Sequence, residues 1–123
     1  MKKAFAILLA FLLLFPCSLD ARKSQEGVPE FKVMSYNIRL GVANDGTNSW
    51  KYRCPATIGM LNAQKPDVFG VQEAHDFQIA FIEEFARDYK SVGVGREDGK
   101  KEGEHMSIFW NKKRVKLLKW GTF

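Results

Sequence analysis

Cysteine and histidine are nearly absent from this chain: Cys17 and Cys54 are its only thiols, and His75 and His105 its only imidazoles. With Cys17 inside an apolar leader that export would remove, Cys54 has no partner and an intramolecular disulfide is excluded. Neither histidine has a cysteine or histidine at ligand spacing, which argues against zinc. Cys54 reads as a half-buried residue near a helix start rather than as a nucleophile. The chain also lacks internal repeats, low-complexity tracts and any apolar run long enough to span a bilayer, the longest being Ala4 to Phe15. Strong charge of one sign is missing too. The net charge is +5, and +4 once residues 1–21 with Lys2, Lys3 and Asp20 are set aside. That balance suits an anionic substrate but is too dispersed to argue for nucleic acid. The basic cluster Lys112, Lys113, Arg114 and Lys116 reads as a solvated turn between two strands.

What is present begins with a leader. Lys2 and Lys3 followed by Ala4–Phe15 have the form of a secretory signal, with cleavage after Ala21 and Leu19 and Ala21 at the small-residue positions. This predicts an exported protein, periplasmic or extracellular. Cys17 offers a second reading, lipidation and a membrane anchor, against which stands Pro16 where a small residue is wanted. Residues 22–30 are polar, aperiodic and carry Gly27 and Pro29, as a tether would. The folded domain is expected over residues 31–123.

Within that domain, Phe31–Ile38 reads as a strand covered on both faces, followed by a loop with Asn44-Asp45-Gly46 as its turn. A helix is expected to begin near Cys54, with Pro55 in its first turn, Ala56, Ile58, Leu61 and Ala63 on its apolar side, and Lys65-Pro66 as its stop. Pro66–Glu73 reads as a second strand. The next helix places Phe77, Ala80, Phe81, Glu84 and Phe85 at three- and four-residue steps, with Ile82 beside them. From Tyr89 the period becomes two, predicting strands over Tyr89–Gly95, Glu104–Trp110 and Val115–Phe123. Alternating strands and helices followed by hairpins describe a mixed α/β sandwich.

Two apolar strands end in oxygen-bearing side chains, Asn37 and Glu73. An amide and a carboxylate set side by side at the carboxyl edge of a sheet form a place for a hard cation and its substrate. The order of parts, from Ser35-Tyr36-Asn37-Ile38 through Trp50, Arg53 and Lys65-Pro66-Asp67 to Gln72-Glu73, resembles the opening of the endonuclease/exonuclease/phosphatase family of metal-dependent phosphoesterases. A second point of resemblance is Arg96–Glu104, a charged glycine loop before Met106–Trp110, similar to exported bacterial members.

The resemblance implies an α/β (α+β) fold, a partial four-layer sandwich with mixed, largely antiparallel sheets, of which this chain is the first half. It implies that Glu73 binds catalytic Mg2+, with Mn2+ as a substitute, and that Asn37 lies beside it as a ligand or an orienting group. Arg96, Lys101 and Glu104 are expected near the substrate, Arg96 as a two-donor phosphate ligand. Substrates of such proteins include phosphorylated small molecules, phospholipid head groups and nucleic acid, and no obligate protein partner is evident. Gln72 is expected as scaffold, His75 as a helix-start residue facing water, and His105 without a catalytic role. The family's downstream aspartate–asparagine pair and its terminal serine–aspartate–histidine segment find no counterpart after Glu104. The 123 residues alone are therefore expected to be nearly inactive. A different class of protein, a non-catalytic exported binding module, fits the same surface.

Overall fold

The computed structural model describes residues 29–122; the leader and Cys17, most of the tether and Phe123 lie outside the described residues. A four-stranded mixed sheet is formed by β1 (Val33–Asn37), β2 (Val68–Gln72), β3 (Tyr89–Val92) and β4 (Ile108–Asn111). Its order is β1-β2-β4-β3, with β1 parallel to β2 and the other pairs antiparallel. Helix α1 (Trp50–Gln64) makes the crossover that a parallel pair requires, and α2 (Asp76–Phe85) joins β2 to β3. This is the mixed α+β half-sandwich that the sequence implied. Among the described residues, no helix is long and apolar enough to cross a membrane.

The core lies between the sheet and its helices. Phe69 and Phe109 face each other across β2 and β4 with stacked rings at 4.7 Å, and Tyr89 meets Phe69 edge-on at 5.2 Å. Ile38, Leu61, Val71 and Ile82 complete this layer, fully or almost fully buried. The other sheet face is uncovered by the described residues: Val33 is 67% exposed and Ile108 52%. The expectation that β1 is covered on both faces is thus not met here.

Several elements differ from their sequence reading. Helix α1 starts at Trp50 instead of near Cys54, because Trp50 is a buried anchor packed edge-on against Phe81 at 5.6 Å. Pro55 consequently lies inside the helix, where it cannot donate to the carbonyl of Lys51. The Cys54 thiol points at that carbonyl instead, at 3.6 Å. The buried side of α1 is Trp50, Thr57 and Leu61, with Cys54, Ile58 and Met60 partly covered, while Ala56 and Ala63 are exposed. Helix α2 turns Gln78, Ile79 and Ile82 inward, and Phe77, Ala80, Glu84 and Phe85 face solvent. Both stripes have helical spacing, and the larger aromatic one is not the one that meets the sheet.

At the C-terminal side, β3 stops at Val92 and β4 begins only at Ile108, with His105 making isolated bridges to Ala74 and Gly95. Residues 115–122 form no strand. β4 is already flanked by β2 and β3, so a chain turning back after Asn111 finds no open edge beside it. Val115, Leu117 and Trp120 instead border a groove of about 960 Å3 on the uncovered side, together with Ile108 and Trp110.

Candidate active site at the carboxyl edge of β1 and β2

The parallel register pairs Asn37 with Gln72, so the end of β1 and the residue after β2 reach the same sheet edge. Glu73 then takes a left-handed backbone (φ 59°), which reverses the chain and lets Ala74 accept a hydrogen bond from the His105 N–H at 2.6 Å. Asn37 donates from Nδ2 to Glu73 Oε1 at 2.8 Å, leaving the second carboxylate oxygen to other partners. The Asn37 amide oxygen accepts from the backbone N–H of Arg39 at 2.9 Å, which fixes the orientation of the amide. Arg39 is itself left-handed (φ 64°). Such backbones are disfavoured for residues bearing a Cβ and concentrate at functional sites, and here one belongs to a member of the hydrogen-bonded pair and the other lies two residues past its partner.

The loop after Asn37 is braced from three directions. Arg39 forks onto Asp45 through Nε (3.1 Å) and Nη2 (2.9 Å). The fork raises the guanidinium above its ordinary value and holds the Asp45 carboxyl below its own, the hydrogen bond being the main cause in each case. Arg53 donates to the carbonyls of Asn48 (2.6 Å) and Ile38 (2.9 Å) and lies over the Trp50 ring. Gln78 donates to the carbonyl of Arg39 at 3.1 Å. Sequence reasoning assigned no site role to Gln78, Arg39, Arg53 or Asp45; an amide within the apolar stripe Ile79, Ile82 and Ala86 was the available signal for Gln78.

The second group of expected residues comes to the neighbouring loop. The strand-like bridge between Ala74 and His105 sets residues 95–105 beside the segment that follows Glu73. Arg96, however, pairs with Glu104 at 3.4 Å, and Lys101 pairs with Asp76 at 3.4 Å. Both cations are mostly exposed and engaged with carboxylates of this chain, and neither touches the Asn37–Glu73 pair. Asp98 organises the loop by accepting the N–H groups of Lys100 (2.7 Å) and Glu102 (2.9 Å). Those bonds, that of Glu102 first, hold its carboxyl below the ordinary value. His105 is buried with its ring Nε2 at 3.1 Å from the Lys101 carbonyl, a structural position. His75 does not face water as expected: it is half-buried at the α2 start and stacks on Phe77. Gln72 reaches the Ser35 hydroxyl (3.3 Å) and so links β1 to β2 just below the site.

Among the described residues, no three His, Cys, Asp or Glu side chains converge to hold a metal. The carboxylate these residues place at the edge suits a cation that keeps most of its waters, as Mg2+ does. The groove of about 960 Å3 lies elsewhere, under residues 115–122, and shares Arg96 and Glu104 but neither Asn37 nor Glu73.

A mixed sheet with helices on one face and a polar pair at the carboxyl edge of its parallel strands defines an α/β sandwich protein with a candidate site at the strand ends. Solved structures specify it further. The chain is 35% identical to a mannosyl-6-phosphatase of Bacteroides thetaiotaomicron, with a TM-score of 0.65 over 68% of this chain and 32% of that one. It is 29% identical to an endonuclease/exonuclease/phosphatase of Bacteroides vulgatus, with a TM-score of 0.61 over 68% of this chain and 31% of that one. The human Nocturnin catalytic domain shares the fold at 20% identity and a TM-score of 0.60, over 74% of this chain and 36% of that one. No family model and no curated protein matches the chain. The chain belongs to the endonuclease/exonuclease/phosphatase family and spans about a third of the length of the solved structures it matches.

Proposed function

We propose that this chain carries the cation-binding edge of a divalent-metal-dependent phosphoester hydrolase. The observation that carries the reading is the 2.8 Å hydrogen bond by which Asn37 presents Glu73 at the end of β2. Glu73 is the metal ligand. Asn37 positions that carboxylate and turns its own oxygen to the Arg39 N–H, so it acts as an orienting group rather than a ligand. Glu73 would hold Mg2+, or Mn2+ in its place, and the ion would supply Lewis-acid polarisation of the phosphoryl group and compensation of charge on the leaving oxygen. Arg96 and Lys101 reach a substrate phosphate only by exchanging Glu104 and Asp76 for it, which makes them adjustable phosphate ligands at the rim. Glu104 then tunes Arg96 rather than contacting the substrate.

The substrate class is a phosphorylated small molecule, with a sugar phosphate the first to test because a relative at 35% identity is a mannosyl-6-phosphatase. Lipid head groups and nucleic acid come next. The leader over residues 1–21 supports export to a periplasmic or extracellular site, with lipid anchoring at Cys17 as the variant of that proposal. A non-catalytic binding module is the second reading, favoured by the engagement of both rim cations with internal carboxylates.

The test is hydrolysis of p-nitrophenyl phosphate and mannose 6-phosphate by the native protein, stripped with chelator and resupplied with Mg2+. Activity that returns with the metal and falls at least about 100-fold in Glu73→Gln supports the enzyme. Metal-independent activity, or full activity in Glu73→Gln, overturns it, and no hydrolysis despite substrate binding selects the module.

A further inference from the structure

We infer that Gln78 is a positioning residue for the candidate metal site, holding Asn37 and Glu73 in register by tying together the two backbone segments that follow them. Gln78 lies on α2 and is fully buried. A buried amide is costly unless its donor and acceptor are both used. Both are used here on backbone outside its own helix turn or at its cap. Oε1 accepts the N–H of His75 at 3.0 Å, and Nε2 donates to the carbonyl of Arg39 at 3.1 Å.

Those two attachment points are two residues past Glu73 and two residues past Asn37. Arg39 gives its N–H to Asn37, Asn37 gives an amide hydrogen to Glu73, and Gln78 closes the circuit between Arg39 and His75. Arg39 and Glu73, the two left-handed residues, both lie on this closed ring. A disfavoured backbone persists where its surroundings over-determine it, and the ring supplies that determination. The loop also comes in close: a Cβ on Gly41 would collide with the Gln78 and Phe77 side chains, so the chain passes directly over the amide.

Packing alone does not call for glutamine. Methionine would fill a similar volume between Ile79 and Ile82 without burying polar atoms. Glutamate, when ionised, would accept from His75 but offer no hydrogen to the Arg39 carbonyl. Only a side chain with one donor and one acceptor at that reach satisfies both segments.

This inference rests on the reading of Glu73 as the metal ligand, and the experiment separates the two. Mn2+ affinity of the native protein is measured by electron paramagnetic resonance for wild type, Gln78→Met, Gln78→Glu, Glu73→Gln and the core variant Ile82→Val. Groups that orient a metal ligand typically contribute about 10–100-fold in affinity. A loss of about that size in both Gln78 variants is expected, with Ile82→Val unchanged within about twofold although it also loosens the core. The Asn37 side-chain NH2 resonance should shift in Gln78→Met and stay in place in Ile82→Val. Wild-type affinity in both Gln78 variants, with binding lost in Glu73→Gln, overturns the inference and leaves the metal reading standing. Binding retained in Glu73→Gln overturns the metal reading, and an unmoved Asn37 resonance in Gln78→Met then overturns the positioning role as well.

Discussion

At the scale of single residues, three side-chain-bearing positions among the described residues adopt left-handed backbone, and they divide by place. Lys65 (φ 46°) ends α1, its N–H returning to the Leu61 carbonyl in the usual helix-closing manner. Glycine tolerates this conformation without a steric cost, so Lys65→Gly should raise stability by about 0.5–1 kcal/mol, read as a higher urea midpoint at unchanged m. Arg39 and Glu73 bear the same kind of strain at the Asn37–Glu73 hydrogen bond, where glycine at Glu73 would remove the carboxylate that accepts from Asn37 and glycine at Arg39 the fork onto Asp45. Replacing Asn37 by alanine leaves Glu73 without its orienting donor, and Mg2+ affinity should fall by about 10–100-fold with the fold intact. An unchanged titration by calorimetry would show that Glu73 needs no such support.

At the scale of elements, the loop over residues 96–104 depends on one carboxylate. The backbone N–H groups of Glu102 and Lys100 lower the Asp98 carboxyl in the folded state. A depressed folded value means that the contribution is present above the unfolded pKa and is lost as the pH falls through the lower, folded one. The loop should therefore hold its geometry through neutral and mildly acidic solution and loosen only below the ordinary carboxylate range of about 3.9. The carboxyl carbon shift of Asp98 gives the midpoint directly, and a midpoint at or above the ordinary value contradicts the arrangement. The helices make a separate point. In α2 the aromatic stripe Phe77, Phe81 and Phe85 and the stripe Gln78, Ile79 and Ile82 have equal claim to be the inner face by spacing. In α1, Pro55 suggests a helix start by its missing donor, yet Trp50 pulls the start back by being buried. Local pattern shows that a helix exists here and cannot say which way it is turned or where its first turn anchors.

At the scale of the whole molecule, the sheet is closed at its far edge from the site by Asp67. This buried carboxylate accepts the Lys32 N–H at 2.7 Å and pairs with Arg114, while its backbone carbonyl accepts the N–H of Asn111. It ties the start of β1 to the end of β4 across β2. Asp67→Ala strands a charge-assisted hydrogen bond and should cost about 2–3 kcal/mol, less than a fully buried pair because Arg114 is half exposed. Chemical denaturation checks it, and a loss under about 1 kcal/mol would mean the pair is solvated in the native state. Opposite the helices, Val33, Ile108, Leu118 and Trp120 leave an apolar surface uncovered by the described residues.

The amino-acid sequence by itself determined the alternation of strands and helices and the two polar strand ends proposed as the site, because a strand that ends in Asn37 and one that runs into Glu73 are local patterns. Only the tertiary structure decided that Asn37 gives its hydrogen to Glu73 and its oxygen to Arg39, that Gln78 rather than Phe77 or Phe85 faces inward, and that Arg96 and Lys101 are engaged with Glu104 and Asp76. It also left residues 115–122 without a strand, since both edges of β4 were already filled. Each of these depends on which residues from distant parts of the chain meet, and spacing along the sequence carries no record of that.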